Sequence, residues 1–224
     1  MTYLEIEQRL HKAHLRCCGG FYPEPTDDLA DWVATAVIVG SARNIPTSGF
    51  WASFESNRPL DTNPLEKWTT EVLSIIAADL KADVVFPFEG PPFIPVLSWA
   101  ERAEPVYSSP FGAFIHPELG LWHSYRGVLL FKEKIDLPAI DDAPSPCQTC
   151  QDQPCITTCP VNAIKPGDFN VEACVGFLAA KKGDACLQGG CLARRACPIG
   201  QEHIYEPAQA NFHLNAFLKT FGPK

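Results

Sequence analysis

Residues 146–198 carry eight of the chain's ten cysteines, and their spacing is that of soft metal ligands. The first run reads Cys147-Gln-Thr-Cys150-Gln-Asp-Gln-Pro-Cys155-Ile-Thr-Thr-Cys159-Pro160, a C-x2-C-x4-C-x3-C-P pattern. A second run supplies Cys174, then Cys186, Cys191 and Cys197, and closes on Pro198. Thiolates are soft donors, and close spacing lets one loop wrap several of them around a small inorganic core. Two runs that both end in Cys-Pro therefore point to iron–sulfur ligation. The proline turns the chain away, so the last sulfur of each run faces a different centre from its neighbours.

In two-cluster ferredoxins the fourth cysteine of each run ligates the other cluster. That crossing divides the eight into Cys147, Cys150, Cys155 and Cys197 on one side, and Cys159, Cys174, Cys186 and Cys191 on the other. Two complete sets of four imply two [4Fe-4S] clusters that relay single electrons. Four-thiolate zinc sites also use C-x2-C pairs, though rarely with the third and fourth ligands so near and ending in Cys-Pro. A single cluster beside a degenerate second run is the other alternative, because the second spacing is looser. Cys17 and Cys18 have no further partners nearby and read as small apolar residues at a helix end.

Bulk properties place these ligands. With 224 residues and 46% hydrophobic content the chain can bury a core without cysteine staples. A net charge of −8 argues against nucleic-acid or anionic-membrane partners, and Arg194-Arg195 is the only adjacent arginine pair. The opening Met1-Thr-Tyr-Leu-Glu-Ile-Glu lacks the apolar run of a secretory leader. No segment reaches the roughly 18 apolar residues of a membrane helix. The expectation is a soluble, cytoplasmic protein, where reduced cysteines serve as ligands more readily than as disulfides.

The surrounding elements follow from periodicity. A helix is expected over residues 1–18, with Leu4, Ile6, Leu10 and Leu15 on its stripe, broken by Gly19-Gly20. A buried strand is expected over 32–39. An irregular loop over 46–62 carries Phe50, Trp51 and Phe54, which either plug the core, the favoured reading, or line a pocket. Asn63-Pro64 opens a helix with Leu65, Trp68, Val72, Ile75, Ile76 and Leu80 at helical spacing. A strand over 83–88 runs into the Gly90-Pro91-Pro92 turn and a helix over 93–103. Strands are expected at 111–116 and 127–131, a proline- and aspartate-rich linker at 136–146, and helices at 155–164 and 171–180. A terminal helix at 207–221 has Phe212, Leu214, Phe217 and Leu218 on its apolar face.

Upstream of the cysteines, Ser109-Pro-Phe-Gly-Ala-Phe-Ile-His116-Pro117-Glu118-Leu-Gly120-Leu-Trp122 precedes the Cys147 run. Over roughly residues 83–200 the chain resembles epoxyqueuosine reductase and its relatives among the reductive dehalogenases, including an isolated cysteine matching Cys174. The resemblance implies an α+β protein, with a nitroreductase-like α/β body followed by a ferredoxin-like two-cluster module. The corresponding divisions are a body over 1–140, the cluster module over 141–206 and a C-terminal helix over 207–224.

The family's reductase has an acid just before a Gly-Pro pair. Phe88 stands at that place here, which leaves Glu89, one position on, as the candidate acid beside His116. His116 and Trp122 are candidates for contact with a cofactor, and Arg102 and Arg126 either for holding an anion or, no less readily, for surface ion pairs. His116 and His123 read equally as hydrogen-bonded structural residues. The chain reads as a shortened relative without the family's C-terminal helical repeats, which sets transfer-RNA recognition aside. The expected activity is ferredoxin-type electron transfer between soluble donor and acceptor proteins. The alternative is a cobalamin-dependent or cobalamin-processing reductase, whose body binds a corrinoid, in preference to a flavin, and reduces it or a bound substrate.

Overall fold

The computed structural model describes residues 1–41, 49–141, 143–180 and 183–222. These fall into two units, one comprising Met1–Pro105 and His123–Asp142, the other Val106–Trp122 and Ala143–Lys224. Elements are numbered in chain order.

In the first unit, β1 (Leu15–Phe21), β2 (Thr35–Ser41), β3 (Asp83–Val85) and β6 (Tyr125–Phe131) form one sheet in the order β1-β2-β6-β3. Every neighbouring pair is antiparallel, so the sheet of the body is not the parallel kind that an α/β reading implies. Mixed helix and antiparallel sheet make the chain α+β. Central β2 is buried at every residue, with Ala36, Val37, Ile38 and Val39 all at 0% exposure. A strand covered on both faces loses the usual alternation and reads as one apolar run.

Helix α1 (Tyr3–Lys12) opens on a capping box, in which the Thr2 hydroxyl accepts from Glu5 N–H and the Glu5 carboxylate from Thr2 N–H. It ends at Lys12, and the expected helical residues 15–18 belong instead to β1. Cys17 and Cys18 therefore lie on a strand, because pairing with Ser41, Gly40 and Val39 outweighs the weak helical stripe. The aromatic loop is also partly helical. Helix α2 (Phe50–Ser56) buries Phe50, Trp51 and Phe54, and Phe50 and Phe54 meet Trp68 edge-on at 5.5 and 6.0 Å. Its aromatics plug the core as expected, although residues 46–48 of that reading lie outside the described residues.

Helix α3 (Pro64–Leu80) begins on Pro64 and buries Leu65, Trp68, Leu73, Ile76 and Leu80. Ile75, expected on the buried stripe, is 61% exposed. The helix expected over 93–103 shortens to α4 (Val96–Ala100). Its start lies beyond Gly90-Pro91-Pro92 and Pro95, since proline disfavours helical backbone in the residue before it.

The second unit opens with the short pair β4 (Tyr107–Ser108) and β5 (Phe114–Ile115), so the strand expected over 111–116 covers only its end. His116 and Gly120 then exchange backbone hydrogen bonds, each 2.9 Å long. Helix α5 (Pro154–Thr157) stops well short of residue 164, where β7 (Ile164–Lys165) pairs with β8 (Asp168–Phe169). Pro160 ends that helix, and Gly167, at φ 74°, makes the turn between the strands. Helices α6 (Val171–Ala179), α7 (Asp184–Gly189) and α8 (Leu192–Arg195) follow. Helix α9 (Pro207–Phe221) packs on α6 and α7. Residues 106–122 and the terminal helix thus share a unit with the cysteines.

Candidate metal centre

Cys147 follows the turn at Pro146, Cys155 lies in α5 and Cys197 just past α8. With Cys150 they line one cavity of about 170 Å³. Cys174 projects from α6, Cys186 from α7 and Cys191 from the residue before α8. With Cys159 they line a second cavity, of about 240 Å³. Each cavity holds four thiols and neither shares one with the other. Cys197, from the second run, stands with three cysteines of the first, and Cys159 stands with three of the second.

The acidities of the thiols follow this grouping. Burial pushes Cys174 up to about 11, and nearby Cys191, Cys159 and Cys186 add to it. Burial also raises Cys155, reinforced by Cys197, Cys147 and Cys150. A ring of four thiols cannot all ionise without a cation among them, so binding of iron would release protons. Several sulfurs already face N–H donors that favour thiolate. Ala163 N–H donates to Cys159 Sγ at 3.3 Å, while the backbone N–H of Ile199 works against the burial that raises Cys197, and those of Arg194 and Ala193 against the burial that raises Cys191.

Among the described residues, no three His, Cys, Asp or Glu side chains converge closely enough to hold one metal ion. The rest of each lining suits an inorganic core. Phe169, Phe177 and Phe217 wall the second cavity, and Phe111 lines both. Trp122 lines the second cavity, with its Nε1–H buried and unpartnered, which fits an acceptor such as a cluster sulfide.

Glycine packing sets the position of Trp122. Gly120 (φ 57°) lies against Ile199, and Gly200 (φ 71°) against Leu119. Leu121 packs with Ile115 and Cys197, and Trp122 with Tyr205 at 5.2 Å. His116 organises the same turn, its Nδ1 accepting from Glu118 N–H at 3.1 Å and Leu119 N–H at 3.2 Å. The structural reading of His116 is thus supported at one ring nitrogen.

Glu89 is exposed at the turn after β3, in the first unit. Arg102 is committed to Asp27, with Nη1 at 2.7 and 2.9 Å from its carboxylate oxygens and Nη2 donating to Tyr22 O. Of the two readings of Arg102, that pairing is the ion pair and not the anion site. Arg126 lies on β6, half-buried, and the His123 ring meets Tyr125 at 5.7 Å. Cys17 and Cys18 lie in the first unit and belong to neither thiol ring. Burial pushes Cys17 up to about 11 and Cys18 well above its ordinary value. Tyr205 lines the second cavity and carried no signal in the sequence, while Arg194 stood out only as one of a basic pair.

An α+β chain with two four-thiol cavities in one unit defines the class. No family model and no curated protein matches the sequence. Solved structures of epoxyqueuosine reductases share the fold. The enzyme from Streptococcus thermophilus aligns over 98% of this chain and 75% of its own, at 13% identity and a TM-score of 0.54. That from Bacillus subtilis, with its catalytic loop swung out of the active site, aligns over 98% and 76%, at 15% identity and a TM-score of 0.52. An epoxyqueuosine reductase bound to a modified tRNA stem loop aligns over 93% and 70%, at 15% identity and a TM-score of 0.51. At these identities the likeness is one of fold.

The last structure corrects one expectation. A nucleic-acid ligand is compatible with this fold, so the acidic net charge does not by itself exclude one. Net charge sums the whole surface and is silent about any local patch. Among the described residues no helix is long and apolar enough to cross a membrane.

Proposed function

We propose that the protein is an iron–sulfur redox protein that relays single electrons through two [4Fe-4S] clusters. One is held by Cys147, Cys150, Cys155 and Cys197, the other by Cys159, Cys174, Cys186 and Cys191. The observation that carries this reading is the pair of separate four-thiol cavities, each completed by a cysteine from the other run. Residues 141–206 act as the ferredoxin-like module, 207–224 as its terminal helix, and 1–140 as a nitroreductase-like body. When bound, the clusters supply reversible one-electron storage. The chain's own part is to ionise eight thiols, direct backbone N–H groups at the sulfurs and keep water out with Phe111, Phe169, Phe177 and Phe217. Soluble donor and acceptor proteins are the expected partners.

Anaerobically purified protein should show a broad violet absorption shoulder that bleaches with dithionite, and a reduced-cluster electron paramagnetic resonance signal. A colourless, resonance-silent protein from an anaerobic preparation contradicts the reading.

A second reading is favoured by the reach of the fold likeness, which includes the body. In it the protein is a reductase whose body binds a corrinoid, in preference to a flavin, and passes electrons to it or to a substrate. Glu89 and His116 are its candidate proton-handling residues and Trp122 a wall of its site. A nucleic-acid substrate falls within this reading. Titration with cobalamin under reducing conditions tests it, and an unchanged cobalamin spectrum counts against it.

A further inference from the structure

The two cavities differ in charge. Among the described residues no charged side chain lines the one with Cys147, Cys150, Cys155 and Cys197. Arg194 lines the other. Its guanidinium carbon lies 4.4 Å from the Trp122 ring centre and 4.7 Å from that of Tyr205. Nε and Nη2 both donate to Leu121 O. Among the described residues no carboxylate pairs with Arg194, so its charge is steadied by aromatic faces and one carbonyl, and is not neutralised. The unpartnered Trp122 Nε1–H lines the same cavity. Neighbouring Arg195 is exposed, donates to Gly189 O and does not line the cavity.

An electron added to a cluster adds one negative charge. Phenylalanine walls disfavour that charge, whereas a fixed cation and N–H donors favour it. We propose that Arg194, clamped by Trp122 and Tyr205, tunes the cluster held by Cys159, Cys174, Cys186 and Cys191 to a more positive potential. It thereby offsets the apolar surroundings and makes this centre reducible. Among the described residues no such cation lines the other cavity. Arg194 is a positioning residue in this role and handles no electron itself. The inference rests on the two-cluster reading.

The test is a mediated redox titration of the full-length, anaerobically purified protein, with dithionite as the electron source and resonance spectroscopy as readout. Wild type and variants are titrated at one pH, so that His213, which also lines the cavity, contributes equally to each. Arg194→Met should lower one cluster's potential by about 59 mV, a tenfold change in its one-electron equilibrium, and leave the second cluster unmoved. Arg194→Lys should recover most of the shift, and Arg195→Met should cause none. If Arg194→Met loses iron, Trp122→Phe, which keeps the ring and removes the N–H, should shift the same cluster in the same direction by less. Two clusters with unmoved potentials in the variants overturn the inference and leave the two-cluster reading intact. An equal shift from Arg195→Met overturns it too. A wild-type protein with fewer than two clusters overturns both.

Discussion

Gly120 and Gly200 lock the turn before Trp122 onto the backbone that follows Cys197. A Cβ on Gly120 would sit 2.0 Å from Ile199 O, and one on Gly200 would sit 2.4 Å from the Leu119 carbonyl. Both glycines have positive φ, so conformation and clearance each demand the missing side chain. The contact joins the turn that His116 organises to the loop that presents Cys197.

Gly120→Ala should therefore cost more than the 1–2 kcal/mol of left-handed strain alone (roughly), and should reduce iron retention. Gly112 is the control. It has φ 88°, with nothing within 4 Å of an added Cβ, so Gly112→Ala should cost only the strain. Chemical denaturation of the two variants side by side measures the difference, and equal costs contradict the close-contact account.

The thiol grouping predicts which losses go together. Cys197→Ala should remove the same cluster as Cys155→Ala, and Cys159→Ala the same cluster as Cys174→Ala, as judged by the resonance signal that survives. Cys17→Ala and Cys18→Ala should change neither. A surviving signal common to the Cys197→Ala and Cys159→Ala proteins contradicts the crossing.

Asp27 and Arg102 should make the first unit acid-sensitive. Burial pushes the Asp27 carboxyl up, but the Glu24 N–H and Arg102 outweigh it and hold it below its ordinary 3.8. With the folded value below the unfolded one, the stabilisation is present in full above the unfolded value and is lost as pH falls through the folded one. Asp27→Asn should lower stability at pH 7 by about 1–3 kcal/mol. The gap from the wild type should close as pH falls through the folded value, below the ordinary 3.8, once the wild-type carboxyl is protonated too. A gap that persists at low pH shows that the charge is not responsible.

Glu104 accepts from Arg16 and from Tyr125, the latter at 2.9 Å, and is 5% exposed. Removing one partner of a buried pair leaves the other charge uncompensated, so Glu104→Ala should cost about 3–5 kcal/mol. Thermal unfolding measures it, and a loss under about 1 kcal/mol contradicts a buried, coupled pair.

The sites of the eight cysteines were legible because ligand spacing is local. Cys-Pro endings and C-x2-C pairs need no knowledge of the fold. Helices α3, α6 and α9 were legible for the same reason, with starts at Asn63-Pro64, Asn170 and Pro207. Residues 15–18 were not, because helical spacing in Leu10 and Leu15 competes with cross-strand pairing to β2 that only the folded sheet supplies. The hairpin of β7 and β8 is two residues to a strand, too short to show a period. The Arg194–Trp122–Tyr205 stack joins residues 72 and 11 positions apart in the chain, which no window of sequence can pair. Its charge was visible as half of Arg194-Arg195, but its direction was not.

The most direct test of the account is the iron and acid-labile sulfide content of anaerobically purified protein. The two four-thiol cavities predict about eight of each per chain. About four of each, or zinc without sulfide, would contradict the assignment of two clusters to the crossed cysteine sets.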